Sequence, residues 1–230
     1  MQKYQVMEMG RDNKKVIFLL AGWCNKLWMY WIFSKIIAMN GFYCITYAYD
    51  VDVLSPDTKK TLKHFSDLRD SILKKISKLK KEGYKEFSIF GTSLGSVISL
   101  MVANNSPEIS KVILNAVGAD LAETVWSWDK IIPSFKDRLL KQGLTLSKLK
   151  KEWRKIAPIN NIHNLKNKNI LVYLSKKDEV IPFGLGKKLV REFDKKNYNY
   201  TLVVNNKLRH LNTCAYNLFK VNVYLNFLKG

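Results

Sequence analysis

The sequence predicts an α/β fold: a mostly parallel sheet with helices on both faces. Three observations carry that reading. Strand-like runs and amphipathic stretches alternate from one end of the chain to the other. The strand-like runs are apolar almost throughout, as strands covered on both faces are. The 230 residues, 47% of them hydrophobic, supply one sizeable core, and no internal repeat or Pro/Gly/Ser-rich linker divides them.

The elements follow in order. Lys15 to Leu20 is a continuous apolar run and reads as a strand. Trp28 to Met39 reads as a helix with large apolar residues at Trp28, Trp31 and Ile36. Phe42 to Tyr49, rich in aromatic and β-branched residues, is the next strand. Pro56 to Lys81 is the clearest helix. There Leu62, Phe65, Leu68, Ile72, Ile76 and Leu79 recur at steps of three and four, and Gly83 is a natural stop. Glu86 to Phe90 is a short strand, followed by a helix to Asn104 that opens with small residues. Lys111 to Asn115, Asn169 to Leu174 and Tyr198 to Val204 are further strands, and Ala215 to Leu228 is a closing amphipathic helix. Between Ala119 and Lys168 lies an insertion with two helical stretches, Asp129 to Lys141 and Leu146 to Ile156. The expected organisation is one domain over residues 1–230, with a small helical cap at about 119–168.

Several function classes drop out. The longest apolar run, Val16 to Cys24, has nine residues, about half of what a bilayer span needs. The N-terminal MQKYQVMEMGRDNKK has no signal-peptide core, and Cys24, Cys44 and Cys214 form no C-x-x-C pair. Free thiols in the cytoplasm are the expectation. His64, His163 and His210 have no metal-ligand spacing, so no metal and no cofactor is expected.

The net charge of +20 is unusual, but only six of the 39 cations are Arg and the lysines are spread along the chain. That distribution reads as compositional bias ahead of a selected binding face, and no nucleic-acid-reading motif accompanies it.

Gly91-Thr92-Ser93-Leu94-Gly95 is a G-x-S-x-G pentapeptide standing between a strand and a helix. A serine on such a sharp turn is lifted above the sheet at a helix N-terminus, where free N–H groups favour an oxyanion. Ser93 is therefore the candidate nucleophile. A serine needs a base, and the base an orienting acid. His210 follows the last strand at short range, whereas His64 lies in a charged helix and His163 in an Asn-rich loop. Asp178 follows the strand Asn169 to Leu174, and Glu179 is the alternative acid. The chain order Ser93, Asp178, His210, each just past a strand end, favours Asp178.

With these residues in place the sequence resembles the α/β-hydrolase superfamily, its small serine esterases and acyl hydrolases in particular. The resemblance rests on Gly91 to Gly95, on Asp178-Glu-Val-Ile-Pro182 as the family's D-x-x-[VI]-P, and on His210. It implies the α/β-hydrolase fold, with the N-terminal hairpin shortened to one edge strand or lost. It also implies an oxyanion hole in which Ala21-Gly22-Trp23 replaces the family's His-Gly-x turn, so that the N–H groups of Trp23 and Leu94 act. Gly22, Trp28, Trp126 and Trp128 are the candidate substrate-binding residues, the tryptophans as walls of an apolar acyl pocket between core and cap.

The expected function is hydrolysis of short to medium carboxylic esters through an acyl-enzyme. Alternatives are an esterase or thioesterase for acyl groups on an acidic carrier protein, as the family's pimeloyl-carrier methyl ester hydrolases are, and a lactonase. A non-catalytic basic protein binding nucleic acid or a membrane surface is the reading from another class.

Overall fold

A computed structural model describes residues 4–128 and 132–230. One seven-stranded sheet runs through it in the order β1-β3-β2-β4-β5-β6-β7. Its strands are β1 (Tyr4–Met9), β2 (Lys15–Leu20), β3 (Phe42–Tyr49), β4 (Glu86–Thr92), β5 (Ile109–Asn115), β6 (Asn169–Ser175) and β7 (Tyr200–Asn205). Only β1 is antiparallel. It pairs along β3 from Tyr4 opposite Tyr49 to Met9 opposite Cys44, which makes it the single edge strand left of the expected hairpin.

The continuous apolar runs are buried because helices cover both faces. In β3 every residue from Phe42 to Tyr49 is buried. On one face lie α2 (Thr58–Lys81), α3 (Leu94–Asn105) and α7 (Phe183–Lys195). Helix α2 turns Phe65, Leu68, Ile72, Ile76 and Leu79 onto the sheet, as its periodicity predicts, and Asp57 caps it by accepting from the Lys60 N–H. On the other face lie α1 (Trp31–Met39), α8 (His210–Phe219) and α9 (Val221–Lys229), sharing a core of Phe33, Ile37, Leu218, Tyr224 and Leu225 with Ile17 and Phe90.

Two helix expectations need correcting. Trp28 falls in a short 3-10 turn, Leu27–Tyr30, ahead of α1, and the buried residues there are Tyr30, Phe33, Ser34 and Ile37, with Trp28 and Trp31 exposed. The closing helix is two helices broken at Lys220, and the first of them starts at His210 and not at Ala215.

Between β5 and β6 the chain forms α4 (Leu121–Trp126), α5 (Pro133–Lys141) and α6 (Leu146–Glu152). Helix α4 was not expected; Asp120 caps it, accepting from the Glu123 N–H at 3.1 Å. The expected start of α5, at Asp129, lies outside the described residues. Glu123 ties the segment down, receiving Lys150 of α6 at 2.5 Å and Lys188 of α7 at 3.0 Å. Trp23, Trp128 and Phe135 form the seam to the sheet: the two indoles stack at 5.5 Å and 11°, and both meet the Phe135 ring edge-on.

Candidate active site

Ser93 sits where β4 turns into α3, at φ 53° and ψ −117°, a left-handed backbone that a non-glycine residue adopts only when its surroundings force it. Those surroundings are the flanking glycines. A Cβ on Gly91 would stand 2.4 Å from the Gly95 carbonyl oxygen, and one on Gly95 would stand 2.3 Å from that of Leu20. The G-x-S-x-G spacing is thus a packing requirement, since α3 must lie against the ends of β2 and β4 with nothing between. The Ser93 N–H is held by the Asn115 carbonyl at 2.7 Å, and Ser96 Oγ donates back to the Gly91 carbonyl at 2.8 Å.

His210 Nε2 lies 3.0 Å from Ser93 Oγ, and its Nδ1 lies 2.8 Å and 3.0 Å from the two carboxylate oxygens of Asp178. Asp178 Oδ1 also accepts the N–H groups of Val180 and Ile181, at 2.9 Å and 2.7 Å, so the turn after β6 orients the carboxylate. Burial of His210 disfavours its cation, but the Asp178 carboxylate on Nδ1, together with the neighbouring Cys214, outweighs that and holds the pKa above the ordinary 6.5. Residues from three strand ends, the outermost two 117 positions apart in the chain, are therefore in one hydrogen-bonded line.

Glu179, the alternative acid, does not meet the imidazole. Its carboxylate accepts the backbone N–H of His210 at 3.0 Å and pairs with Arg209 at 3.1 Å, capping α8 from the neighbouring turn. Its partial burial raises its pKa, and the His210 N–H and Arg209 overcome this and lower it.

A cavity of about 460 Å³ opens over Ser93 and His210. Its walls are mostly apolar: Leu54, Leu94, Val97, Leu121, Ile132 and Ile181, with Trp23 and Trp128. Trp128, one of the expected pocket residues, is held in place by its Nε1–H on the Val180 carbonyl at 2.9 Å. Two of the others are not walls of this cavity. Trp28 is 73% exposed on the 3-10 turn, whose one buried residue is Tyr30. Trp126, the last residue of α4, is half-buried and packs against the main core, with the Lys136 ammonium 5.2 Å from its ring. Gly22 lies beside the serine, where an added Cβ would stand 3.6 Å from Ser93 Cβ, and its N–H is bound to the Tyr30 hydroxyl at 3.1 Å. Neither the Trp23 nor the Leu94 N–H is taken by a backbone carbonyl among the described residues.

The profile of the prolyl oligopeptidase family matches residues 64–229, the span that holds Ser93, Asp178 and His210. The chain belongs to that family. It is accordingly a serine hydrolase of the α/β-hydrolase superfamily, and solved structures agree on the fold. An esterase from Pyrococcus furiosus superposes with a TM-score of 0.66 at 14% identity, covering 99% of this chain and 90% of that one. An esterase from Exiguobacterium antarcticum gives 0.61 at 15% identity over 100% and 98% of the two chains. The acylaminoacyl peptidase of Pyrococcus horikoshii gives 0.71 at 14% identity, covering 98% of this chain but only 39% of its own. No curated protein sequence matches the chain.

Three contributors to this prolyl oligopeptidase-family site, Asn115, Cys214 and Tyr30, lie outside the sequence motifs. Asn115 holds Ser93 N–H by its carbonyl and, by its side chain, donates to the Cys214 carbonyl and accepts from Asn217, joining β5 to the helix that carries His210. Cys214 Sγ stands 4.0 Å from His210 Nε2, one helical turn on. Tyr30 anchors the turn at Gly22 through its hydroxyl, and its burial pushes the phenol up to about 12. Of these, only the i, i+4 spacing of His210 and Cys214 was visible without coordinates. Among the described residues no three His, Cys, Asp or Glu side chains gather as metal ligands would.

Proposed function

We propose that the protein is a serine carboxylesterase for short and medium acyl esters. The observation that carries this reading is the line Ser93–His210–Asp178 opening on an apolar cavity of about 460 Å³. In the proposed reaction His210 Nε2 takes the Ser93 proton as Oγ attacks the ester carbonyl carbon. Asp178 keeps the proton on Nδ1 so that Nε2 is free to accept, and steadies the imidazolium that forms. The oxyanion is held by the N–H groups of Trp23 and Leu94, the latter at the first position of α3, where it has no intrahelical acceptor. His210 returns the proton to the leaving alcohol. Water, deprotonated by the same imidazole, then attacks the acyl-enzyme and Ser93 leaves as the alcohol.

The cavity size suits an acyl chain of modest length, and its apolar walls recognise nothing but shape. Family membership and the likeness to a peptidase give a peptide-bond reading its weight. Against it stands Glu179, the acidic member of the lining, which is occupied by Arg209 and the His210 N–H and so is not free for a peptide ammonium. The free cysteines Cys24, Cys44 and Cys214 suit a reducing compartment, and we place the enzyme in the cytoplasm. No described helix is long and apolar enough to cross a membrane.

The test is steady-state kinetics on p-nitrophenyl esters from acetate to dodecanoate, beside a thioester, a lactone and an N-acylaminoacyl anilide. Highest kcat/KM on the shorter oxygen esters supports the proposal. A higher value on the anilide, thioester or lactone replaces it with that activity.

A further inference from the structure

We propose that the helical face formed by α1 and α8 is a docking surface for an anionic lipid bilayer, and that it seats the pocket mouth on that bilayer. The cavity reaches solvent beside Cys24, Arg209 and Leu211, its exposed wall residues. Beside that mouth the same two helices present large apolar side chains to solvent. Leu211 is 72% exposed at the start of α8, Trp28 and Met29 lie exposed on the 3-10 turn before α1, Trp31 and Ile32 at the start of α1, and Phe219 at the end of α8. The two helices are neighbours, since Phe219 packs edge-on against Phe33 with ring centroids 5.0 Å apart. Trp28 and Leu211 are too exposed to serve the core, and exposed apolar side chains gathered on one pair of neighbouring helices mark an interaction site.

Charge selects the occupant. The segments that build this face, residues 13–49 and 195–230, contain no Asp or Glu at all. Their cations stand among the aromatic rings: Lys35 Nζ lies 5.0 Å from the Trp31 ring and Lys220 Nζ 4.6 Å from that of Tyr216, with Lys26 exposed between Cys24 and Trp28. Indoles and aliphatic side chains interleaved with lysines fit the headgroup boundary of a negatively charged leaflet, where rings bury and ammonium groups meet phosphates. A second copy of the same face would bring like charges together. The docking face stands on these observations alone. Its consequence, that the substrates include esters whose apolar tails lie in the lipid, rests on the proposed esterase function.

The face is tested by co-sedimentation of Ser93→Ala protein, which turns nothing over, with phosphatidylcholine vesicles and with vesicles about one-third phosphatidylglycerol at about 100 mM salt. We expect binding to the second kind only. Removing Lys35 and Lys220 as glutamines weakens it about thirtyfold, and Trp31→Ser with Ile32→Ser weakens it by about tenfold or more. In the active protein the serine pair leaves hydrolysis of a water-soluble ester unchanged while lowering hydrolysis of a long-chain ester carried in the anionic vesicles. Absence of binding, or binding that the serine pair leaves intact, overturns the proposal. So does a dimer in light scattering that the serine pair dissolves, which would assign the face to self-association. Fluorophosphonate labelling of Ser93 in solution reads the esterase function separately, so either claim can fail alone.

Discussion

Replacing Asp178 with asparagine isolates what its carboxylate does for His210. The substitution keeps the volume of a side chain that is almost fully buried, and its retained oxygen can still accept the Val180 and Ile181 N–H groups. The change falls on the other atom. Where Oδ2 accepts from Nδ1 at 2.8 Å, the asparagine presents an amide N–H, and two donors repel at that distance; the imidazole keeps only the longer 3.0 Å approach to Oδ1, an oxygen already taken by the Val180 and Ile181 N–H groups. The imidazole then carries its proton on Nε2, which is the atom that must accept from Ser93 Oγ at 3.0 Å. For a wrong tautomer of this kind kcat drops by about 10⁴-fold. The pH profile supplies an independent sign. Activity needs neutral His210, and the carboxylate raises that pKa above 6.5, so in the unaltered enzyme kcat/KM climbs with pH on the alkaline side of 6.5. Without the carboxylate the largest influence opposing burial is gone, with Cys214 alone left to offset it, and the rise moves to lower pH. The assay is a kcat/KM profile on p-nitrophenyl acetate, with circular dichroism to establish that the variant is folded. An Asp178→Asn enzyme within tenfold of the parent, or one whose profile does not shift to lower pH, would refute the reasoning.

Three further outcomes follow from the same geometry. Gly95→Ala places a Cβ 2.3 Å from a backbone oxygen of β2 and destabilises by about 3 kcal/mol, read as a fall in the urea midpoint; unchanged stability would mean that α3 can move away from the sheet. Trp128→Ala removes an indole that walls the cavity and stacks on Trp23, costing about 3–5 kcal/mol and shifting the acyl-length profile toward longer chains. Because the folded pKa of His210 is raised, the buried ion pair with Asp178 stabilises the fold fully below pH 6.5 and progressively less as pH rises through the folded value. The stability difference between the parent and His210→Gln therefore shrinks on going from pH 6 to alkaline pH, measured by denaturant titration at each pH.

The parts of this molecule that the sequence made legible are those whose cause is local. Glycine at positions 91 and 95 is demanded by backbone contacts, so the turn at Ser93 announces itself. The helix over Phe65 to Leu79 is equally plain, because a charged face and an apolar face alternate along it. The residues that misled are those whose environment is set from a distance. Helix α1 buries Phe33 and Ile37 yet leaves Trp31 and Ile32 exposed, and hydrophobicity by itself cannot tell which apolar stripe meets the core. The start of α8 was hidden because Arg209 offers no side-chain cap, and the group that caps it, Glu179, lies 31 residues earlier in the chain. Helix α4 was legible in principle, as Asp120 and Glu123 stand at the spacing of a capping box. Asn115 carried no signal, since its role is to join a strand end to a helix a hundred residues away.

The measurement that bears most directly on the central claim is the intact mass of the protein after reaction with a fluorophosphonate. It asks whether a serine is activated without requiring the right ester. The account predicts a single adduct that maps to Ser93, forms faster as pH rises, and is lost in both Ser93→Ala and His210→Ala. A folded protein that forms no adduct, or one that labels at another residue, would contradict it.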